Sequence, residues 1–272
     1  MPPGTLQKLP FSFFLFLAPA ILFASLEIPA LDVPRATTPP LVTADADDPA
    51  WKNIPTTPLA LVAGRDDAKE KFPRPETGSR FALQWEPDAL HVRFWCASPA
   101  PAQTPHGTQR DAPHHEGDVV EVFLDPVGDG RAFIELQVTP ANGIRDVLYL
   151  VTAEPRHDTG GVLLSSVIQY DQWELSEWNL AAFRTAAAPW ENASAPHGWI
   201  IDFAIPATKI LRRLEHSRFR EHLALRAHFI RYAPASFVDA TAVSTAQTWS
   251  TAVPPGRPHR APATMGKLRL VP

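Results

Sequence analysis

The 272-residue sequence is short of sulfur, with one cysteine and two methionines. A lone cysteine cannot form an internal disulfide, so a hydrophobic core has to hold the fold together. Cys96 lies in an apolar run, which is typical of a small buried hydrophobic residue rather than of a reactive thiol. The scarcity of methionine, a common axial ligand of haem iron, counts against one kind of cofactor site. With 45% hydrophobic residues and eight tryptophans, the composition permits a large core.

Positive charge is also scarce. The formal net charge is −4, and the arginines are scattered without forming a basic stripe. A surface that binds nucleic acid concentrates cations against the phosphates, so nucleic acid is not an expected partner. The sequence also has no G-x-S-x-G, H-E-x-x-H, P-loop or dinucleotide-binding motif. Glu121, Glu135 and Asp202 could supply the carboxylates of a glycosidase, but their spacing says nothing about the gap between them. A noncatalytic protein is therefore expected.

The longest apolar run lies at the amino terminus. Residues 1–30 contain one cation, Lys8, followed by an apolar run from Phe11 to about Leu26 that ends among small residues. This pattern predicts a cleaved signal peptide and a secreted or periplasmic location, with no stable membrane insertion after cleavage. A retained membrane anchor is less favoured, because the run contains Pro19 and a spanning helix needs roughly 20 apolar residues. Residues 31–50 are rich in proline and predict an irregular lead-in, which leaves residues 51–272 for one domain.

Short runs of alternating polar and apolar residues dominate the sequence after Trp51. Because turn residues separate them at short intervals, they predict an all-β fold, a two-sheet antiparallel β-sandwich. One short helix is expected from Thr208 to about Leu214. The predicted strands are Arg80–Glu86, Leu90–Ala97, Asp118–Asp125, Arg131–Thr139, Gly161–Tyr170, Gly198–Ile205, Ala224–Tyr232 and Lys267–Val271.

Five of the predicted strands combine one apolar face with one face of polar and aromatic side chains. In the third strand Val120 and Val122 share one side, so Glu121 and Phe123 share the other. Aromatic rings mixed with planar polar groups suit a neutral, polyhydroxylated ligand. Alternatively, the face is the solvent-exposed side of an antiparallel sheet, or its charges form a structural ion network. The candidate ligand-binding residues on this face are Arg93, Trp95, Glu121, Glu135, Gln137 and His228.

Seven segments follow one another along the chain: "DADDPAW", "LQWEPDALHVRFWC", "GDVVEVFLDPVGDGRAFIELQVTPANGIRD", "EWNLAAFRTA", "GWIIDFAIP", "LRAHFIRY" and "WSTAVPPGRPHRAPATMGKLRL". They occur in the order seen in carbohydrate-binding module family 9, and from Trp51 onward the sequence resembles that family and its free-standing relatives. The resemblance implies an immunoglobulin-like or jelly-roll-like sandwich of DOMON type. It also implies noncatalytic sugar binding, structural calcium in some members, and association with secreted polysaccharide-degrading enzymes.

The resemblance also assigns individual residues. The glutamate and aspartate of the family's D-x-x-E strand match Glu121 and Asp118, and two further polar positions match Gln137 and His228. The family stacks its sugar between two tryptophans, but this chain has His115 and His259 at those positions. They are therefore candidate ligand-binding residues that would make polar contacts to the sugar, together with His228. Other tryptophans that could replace the missing aromatic wall are Trp95, Trp178, Trp190 and Trp249.

The histidines and aspartates raise the alternative of a metal or haem site. Imidazole and carboxylate are common ligands of transition metals, and the candidates are His114, His115, His228 and His259. Histidine could also serve as an axial ligand of haem, or these residues could lie on surface loops. Asp125 and Asp129 in "DPVGDG" could hold structural calcium or simply shape a turn.

The sequence thus predicts a noncatalytic, secreted carbohydrate-binding protein associated with the capture and degradation of polysaccharides or oligosaccharides. Its expected ligand is a carbohydrate, and its expected protein partner is a secreted glycoside hydrolase. No cofactor other than structural calcium is expected. The alternative is a metal- or haem-binding domain of DOMON type that uses His115, His228 and His259.

Overall fold

The computed structural model describes residues 28–63, 78–151, 172–191, 196–210, 217–233, 245–251 and 261–272. These ranges contain fourteen β-strands, short 3₁₀ turns and one four-residue helix, α1 (Ala207–Ile210). The strands are β1 (Ala30–Val33), β2 (Thr57–Pro58), β3 (Ala60–Ala63), β4 (Arg80–Glu86), β5 (Ala89–Cys96), β6 (Val119–Asp125), β7 (Ala132–Val138), β8 (Ile144–Val151), β9 (Gln172–Leu175), β10 (Arg184–Pro189), β11 (Trp199–Pro206), β12 (Ala224–Ala233), β13 (Thr245–Thr248) and β14 (Gly266–Leu270).

The strands form two sheets. The nine-stranded sheet has the order β1-β14-β12-β6-β7-β8-β9, with β13 paired to β12 and β3 paired to β13. The five-stranded sheet has the order β10-β11-β5-β4-β2. Neighbouring strands are antiparallel, except that β1 runs parallel to β14. The predicted all-β sandwich of two sheets is therefore confirmed.

The apolar faces of the two sheets meet in one core. Val92 and Phe94 on β5 and Val122 on β6 belong to this core, as their alternation predicts. Aromatic rings join the sheets directly, since Phe81 stacks on Phe229 with the ring centroids 4.2 Å apart. Cys96 is buried in the same core, and burial raises the pKa of its thiol to about 12. A thiol with that pKa is not a reactive nucleophile at neutral pH.

All the predicted strands that fall within the described ranges are present, with ends that agree to within one residue. The predicted strand Gly161–Tyr170 lies outside the described residues, as do the end of the predicted helix and most of the predicted signal peptide. The strands that the sequence did not predict include β8 and β10. β10 has the sequence RTAAAP, whose small side chains carry little of the β-branched and aromatic signal on which strand prediction depends.

The expected irregular lead-in, residues 31–50, is part of the fold. β1 pairs with the last strand, with Ala30 opposite Lys267. Farther along, the backbone N–H of Ala44 donates to Asp202 Oδ2 over 2.8 Å, and Arg93 donates to the carbonyl of Asp45 over 2.7 Å. Side chains remote in sequence therefore fix this proline-rich segment to the sandwich, and local composition carries no sign of them.

Within the described ranges, no helix combines the length and the apolar character that crossing a membrane requires.

Candidate functional site

The outer face of the nine-stranded sheet collects polar side chains at the centre of its middle strands. Glu121 on β6 lies opposite Gln137 on β7, which in turn lies opposite Arg145 on β8. In the next row His228 on β12 lies opposite Phe123, and Phe123 lies opposite Glu135. Paired residues in an antiparallel sheet point to the same side, so these side chains share one surface.

Three of these side chains, together with Tyr149 on β8, are hydrogen-bonded to one another. The Gln137 amide nitrogen Nε2 donates to Glu121 Oε1 over 3.0 Å and to Glu135 Oε1 over 2.5 Å. The Tyr149 hydroxyl donates to Glu135 Oε2 over 2.6 Å. One amide thus bridges two carboxylates, and a phenol supports one of them. Glu121, Glu135, Gln137 and Tyr149 are called the polar cluster below.

Burial makes the polar cluster electrostatically unusual. Glu121 is 3% exposed and Glu135 is 6% exposed. Loss of hydration raises the pKa of both carboxyls, and repulsion from Glu135 raises the pKa of Glu121 further. The Arg145 guanidinium acts in the opposite direction on both. A carboxyl that holds its proton can donate a hydrogen bond as well as accept one, so the cluster can offer both donors and acceptors.

Several buried polar atoms around the polar cluster have no hydrogen-bond partner within the described structure. They are Gln137 Oε1 and both ring nitrogens of His228. His228 is fully buried, and burial lowers the pKa of its imidazole to about 3, so the ring is neutral at physiological pH. An unsatisfied buried donor or acceptor costs roughly 1–3 kcal/mol. A polar molecule bound at this face would remove that cost.

An apolar cluster borders these polar groups on the same face. It includes Phe133, which stacks on Tyr149 with ring centroids 5.0 Å apart. The sequence predicted that the polar side chains form a floor open to a ligand. In the structure Glu121, Glu135, Gln137 and His228 are all buried. The buried apolar residues beside the polar cluster are Phe123, Phe133, Val147, Ile230 and Met265.

Arg93 and Trp95 do not belong to this surface. Both lie on β5, in the five-stranded sheet, on the opposite outer face of the sandwich. Arg93 is fully buried and forms a bidentate ion pair with Asp202, with Nε–Oδ1 at 2.6 Å and a second bond to Oδ2 at 2.8 Å. The expectation that Arg93 and Trp95 share one face with Glu121 is wrong, because strand alternation does not say to which sheet a strand belongs. The predicted ion network exists, but the partner of Arg93 is Asp202.

The predicted histidine constellation has no support in the described part of the chain. His115 is exposed in the 3₁₀ turn before β6, whereas His228 is buried in β12. His114 is buried beside His106, with ring centroids 6.2 Å apart. His259 lies outside the described residues. Within the described ranges, no three histidine, cysteine or carboxylate side chains are arranged to hold a metal ion.

The calcium candidates act on the backbone of their own loop. Asp125 Oδ1 accepts hydrogen bonds from the N–H groups of Val127 and Gly128, and its Oδ2 accepts one from Gly130 over 2.7 Å. Asp129 accepts one from the N–H of Arg131 over 2.9 Å. These contacts fit an aspartate that shapes a turn better than a calcium ligand, because the carboxylate oxygens are already engaged by N–H donors.

The tryptophans that could have rebuilt an aromatic wall lie elsewhere. Trp249 packs in the core, 5.5 Å from the Phe229 ring, and Trp178 also packs against the core. Trp190 lies beside Arg80 on the five-stranded sheet, where Trp95 also lies. The rings beside the polar cluster are instead Phe123 and Phe133, of which Phe133 stacks on Tyr149.

Sequence reasoning missed Tyr149 and Arg145. Both lie on β8, which was not predicted as a strand, although its sequence IRDVLYLV follows a turn and alternates between its two faces. Asp118, by contrast, was expected near the ligand. It lies at the end of the sandwich, where its Oδ1 pairs with Arg231 over 3.3 Å and its Oδ2 accepts the N–H of Gln103.

The architecture is thus a two-sheet β-sandwich with a buried polar cluster on the outer face of its larger sheet. Solved structures share this fold. Carbohydrate-binding module family 9 structures from Caldicellulosiruptor kristjanssonii align with 89% of this chain at 16% identity. The glucose complex has a TM-score of 0.56 over 95% of that chain, and the cellotriose complex has 0.57 over 93%.

A Bacteroides uniformis ATCC 8492 protein, to which carbohydrate binding has been ascribed, aligns with 90% of this chain. That alignment covers 100% of the Bacteroides chain at 13% identity, with a TM-score of 0.58. No protein-family model matches the sequence, and no curated protein matches it either. At these identities the similarities establish the fold that the chain adopts.

Proposed function

We propose that this protein binds carbohydrate without transforming it, through the polar cluster and His228. The observation that carries the proposal is a group of buried polar side chains on one sheet face that leaves Gln137 Oε1 and both nitrogens of His228 without partners. The fold agrees with it, since the Caldicellulosiruptor modules of this architecture are in complex with glucose and cellotriose.

The chemistry of the face suits sugar hydroxyls. Each hydroxyl donates one hydrogen bond and accepts others. The polar cluster supplies carboxylate acceptors and an amide oxygen, and His228 adds a neutral imidazole. The stacked rings of Phe133 and Tyr149 add an apolar surface beside these groups. A sugar likewise presents C–H groups next to hydroxyls, and aromatic rings pack against them.

The same geometry favours binding over hydrolysis. A glycosidase places its two carboxyl groups on either side of the scissile bond. Here the Gln137 amide lies between Glu121 and Glu135 and donates to both, so it occupies the space that a scissile bond would need. The third candidate carboxylate, Asp202, is on the other sheet and is bound to Arg93.

The proposal extends to the setting in which the protein works. The amino-terminal segment has the pattern of a signal peptide, which supports export to the periplasm or beyond the cell. There, the protein would hold polysaccharide or oligosaccharide for a secreted glycoside hydrolase. Mass spectrometry of the protein recovered from its native host tests the first step, because export predicts a mature amino terminus between Ala24 and Ala30.

Calorimetric titration with cellotriose and glucose, followed by a panel of neutral glycans, tests the binding site. Glu121→Ala is expected to weaken sugar binding by about 1–3 kcal/mol, because it removes hydrogen bonds to a charged or strongly polar group. Glu177→Ala is the matched control, since Glu177 is exposed beyond β9 and away from the polar cluster.

Glu121→Gln keeps the shape of the side chain and serves if the alanine variant fails to fold. Unchanged sugar affinity in a folded Glu121 variant would show that the site lies elsewhere. A folded wild-type protein that binds no neutral glycan would refute carbohydrate binding at this face.

A further inference from the structure

The outer face of the five-stranded sheet carries a separate cleft, on the opposite side of the sandwich from the polar cluster. Its volume is about 390 Å³, within the range of small-ligand sites. Its lining combines aromatic rings, two cations and two carboxylates. The lining residues, called the tryptophan cleft below, are Ala46, Asp47, Asp48, Trp51, Lys52, Ile54, Thr56, Arg80 and Trp95.

Buried contacts build this cleft. The pair of Arg93 and Asp202 binds the backbone of residues 43–45 and so fixes one wall on the sheet. The chain then turns through a 3₁₀ segment, Pro49–Trp51, which Asp48 caps by accepting the N–H of Ala50. As a result, Trp51 packs edge-on against Trp95, with ring centroids 6.3 Å apart. A wall held in this way is preformed, so a ligand need not order it on binding.

Arg80 is the distinctive residue of the tryptophan cleft. Its guanidinium carbon lies 5.1 Å from the ring centroid of Trp95 and 4.9 Å from that of Trp190, so two rings hold it. Partial burial lowers the pKa of this guanidinium. In the described part of the chain, its side chain makes no hydrogen bond or ion pair. A guanidinium has five N–H donors in a planar fork that matches a carboxylate.

The other charges of the tryptophan cleft are placed to complete such a site. Lys52 is exposed at the cleft and adds a second cation. Asp47 is exposed, whereas Asp48 is 9% exposed and its Oδ2 has no hydrogen-bond partner within the described structure. Arg93 Nη2 lies 3.9 Å from that oxygen. The cleft therefore offers donors for an anion next to acceptors for hydroxyl groups.

We propose that the tryptophan cleft is a second binding site, which takes a sugar bearing a carboxylate, such as a uronic acid unit. Arg80 binds the carboxylate through its N–H fork, and Lys52 supplements the charge. Asp47 accepts hydrogen bonds from the ring hydroxyls, while Ile54 and the edge of Trp51 contact the C–H surface of the sugar.

This assignment stands apart from the proposed function. It uses another sheet, a different set of residues and a charged ligand, and it requires nothing of the polar cluster. The polar cluster has two carboxyl groups and no cation among its four members, which disfavours an anionic ligand. In the tryptophan cleft, Arg80 and Lys52 offset the charges of Asp47 and Asp48, and the guanidinium offers its N–H fork to a carboxylate. The two faces are therefore expected to sort acidic from neutral sugars.

Calorimetry and tryptophan fluorescence with digalacturonate, cellotriose and acetate test the proposal on the whole protein. Wild-type protein is expected to bind digalacturonate through this cleft, and Arg80→Gln is expected to weaken that binding roughly 10- to 100-fold by removing charge-assisted hydrogen bonds. Arg80→Lys keeps the charge but loses the planar fork, so an intermediate loss is expected. Arg184→Gln, an exposed arginine on β10 of the same sheet, is the control and should bind as wild type does.

The two sites are separated by crossing the variants. Glu121→Gln should retain digalacturonate binding, and Arg80→Gln should retain cellotriose binding. If the wild-type protein binds digalacturonate but does not bind cellotriose, the result contradicts the proposed function and still supports the site in the tryptophan cleft. The cleft proposal is overturned if folded wild-type protein does not bind digalacturonate, if acetate binds equally well, or if folded Arg80→Gln and Arg80→Lys both bind it unchanged.

Discussion

The two outer faces of the sandwich accommodate buried ionisable side chains in different ways. On the five-stranded sheet, Arg93 and Asp202 neutralise each other through two short hydrogen bonds, and the spare donors and acceptors go to the backbone. On the nine-stranded sheet, Glu121 and Glu135 are like charges bridged by one neutral amide. The first arrangement is complete in itself and holds the fold together. The second leaves Gln137 Oε1 and both ring nitrogens of His228 without hydrogen-bond partners in the described structure, so we place the ligand there.

The difference also shows what buried charges at alternate strand positions mean. Arg93 and Glu121 have the same sequence signature, an ionisable residue on the polar side of an apolar strand. Only the identity of the facing strand separates the structural ion pair from the proposed binding site, because β11 brings a carboxylate to Arg93 while β7 brings an amide to Glu121. Counting charged residues on strands therefore does not locate a site.

Breaking the buried ion pair should have the largest effect on stability. Asp202→Ala leaves Arg93 charged, buried and without its carboxylate, and it also frees the N–H of Ala44. Removing one partner of a buried pair costs roughly 3–5 kcal/mol. Urea denaturation at neutral pH measures the loss as a lower free energy of unfolding.

An exposed pair of the same geometry provides the control. Arg218 binds both oxygens of Asp88 at 2.9 Å and 3.0 Å, but both side chains are exposed. Asp88→Ala should change the free energy of unfolding much less than Asp202→Ala does, because solvent screens such pairs. Equal losses in the two variants would show that the Arg93–Asp202 pair does not organise its face.

The fold was largely predictable from the sequence, because alternation is a local signal and the predicted strands have clear turn residues at their ends. The site was predictable only in part. Glu121, Glu135, Gln137 and His228 do come together, since their strands are neighbours in one sheet. Arg93 does not join them, because the assignment of a strand to a sheet depends on contacts between distant segments.

The next largest expected effect is the change in folding stability with pH that His228 causes. Burial lowers the pKa of its imidazole to about 3, below the ordinary value of 6.5, so the unfolded state binds the proton more readily. Its contribution to stability is complete above pH 6.5 and falls as the pH drops from 6.5 toward 3. At pH 4.5 the expected loss is roughly 3 kcal/mol.

His228→Leu should remove this dependence, because leucine fills the buried position beside Phe123 without titrating. Denaturation at pH 7.5 and pH 4.5 measures the change, and His115→Gln, at an exposed histidine, is the control. A pH dependence in His228→Leu as steep as in the wild type would mean that other groups cause the acid sensitivity.

The smallest expected effect tests how the five-stranded face holds Arg80 without a carboxylate. If the rings hold the guanidinium, Arg80 and Trp190 should be energetically coupled, because their centres are 4.9 Å apart. A double-mutant cycle of Arg80→Met and Trp190→Leu, followed by urea denaturation, should give a coupling energy of about 0.5–1 kcal/mol. Trp173→Leu, at an exposed edge-strand tryptophan, should show no coupling to Arg80.

Strict additivity of Arg80→Met and Trp190→Leu would mean that the rings merely lie beside Arg80. The five-stranded face would then hold a half-buried cation that the aromatic rings do not stabilise.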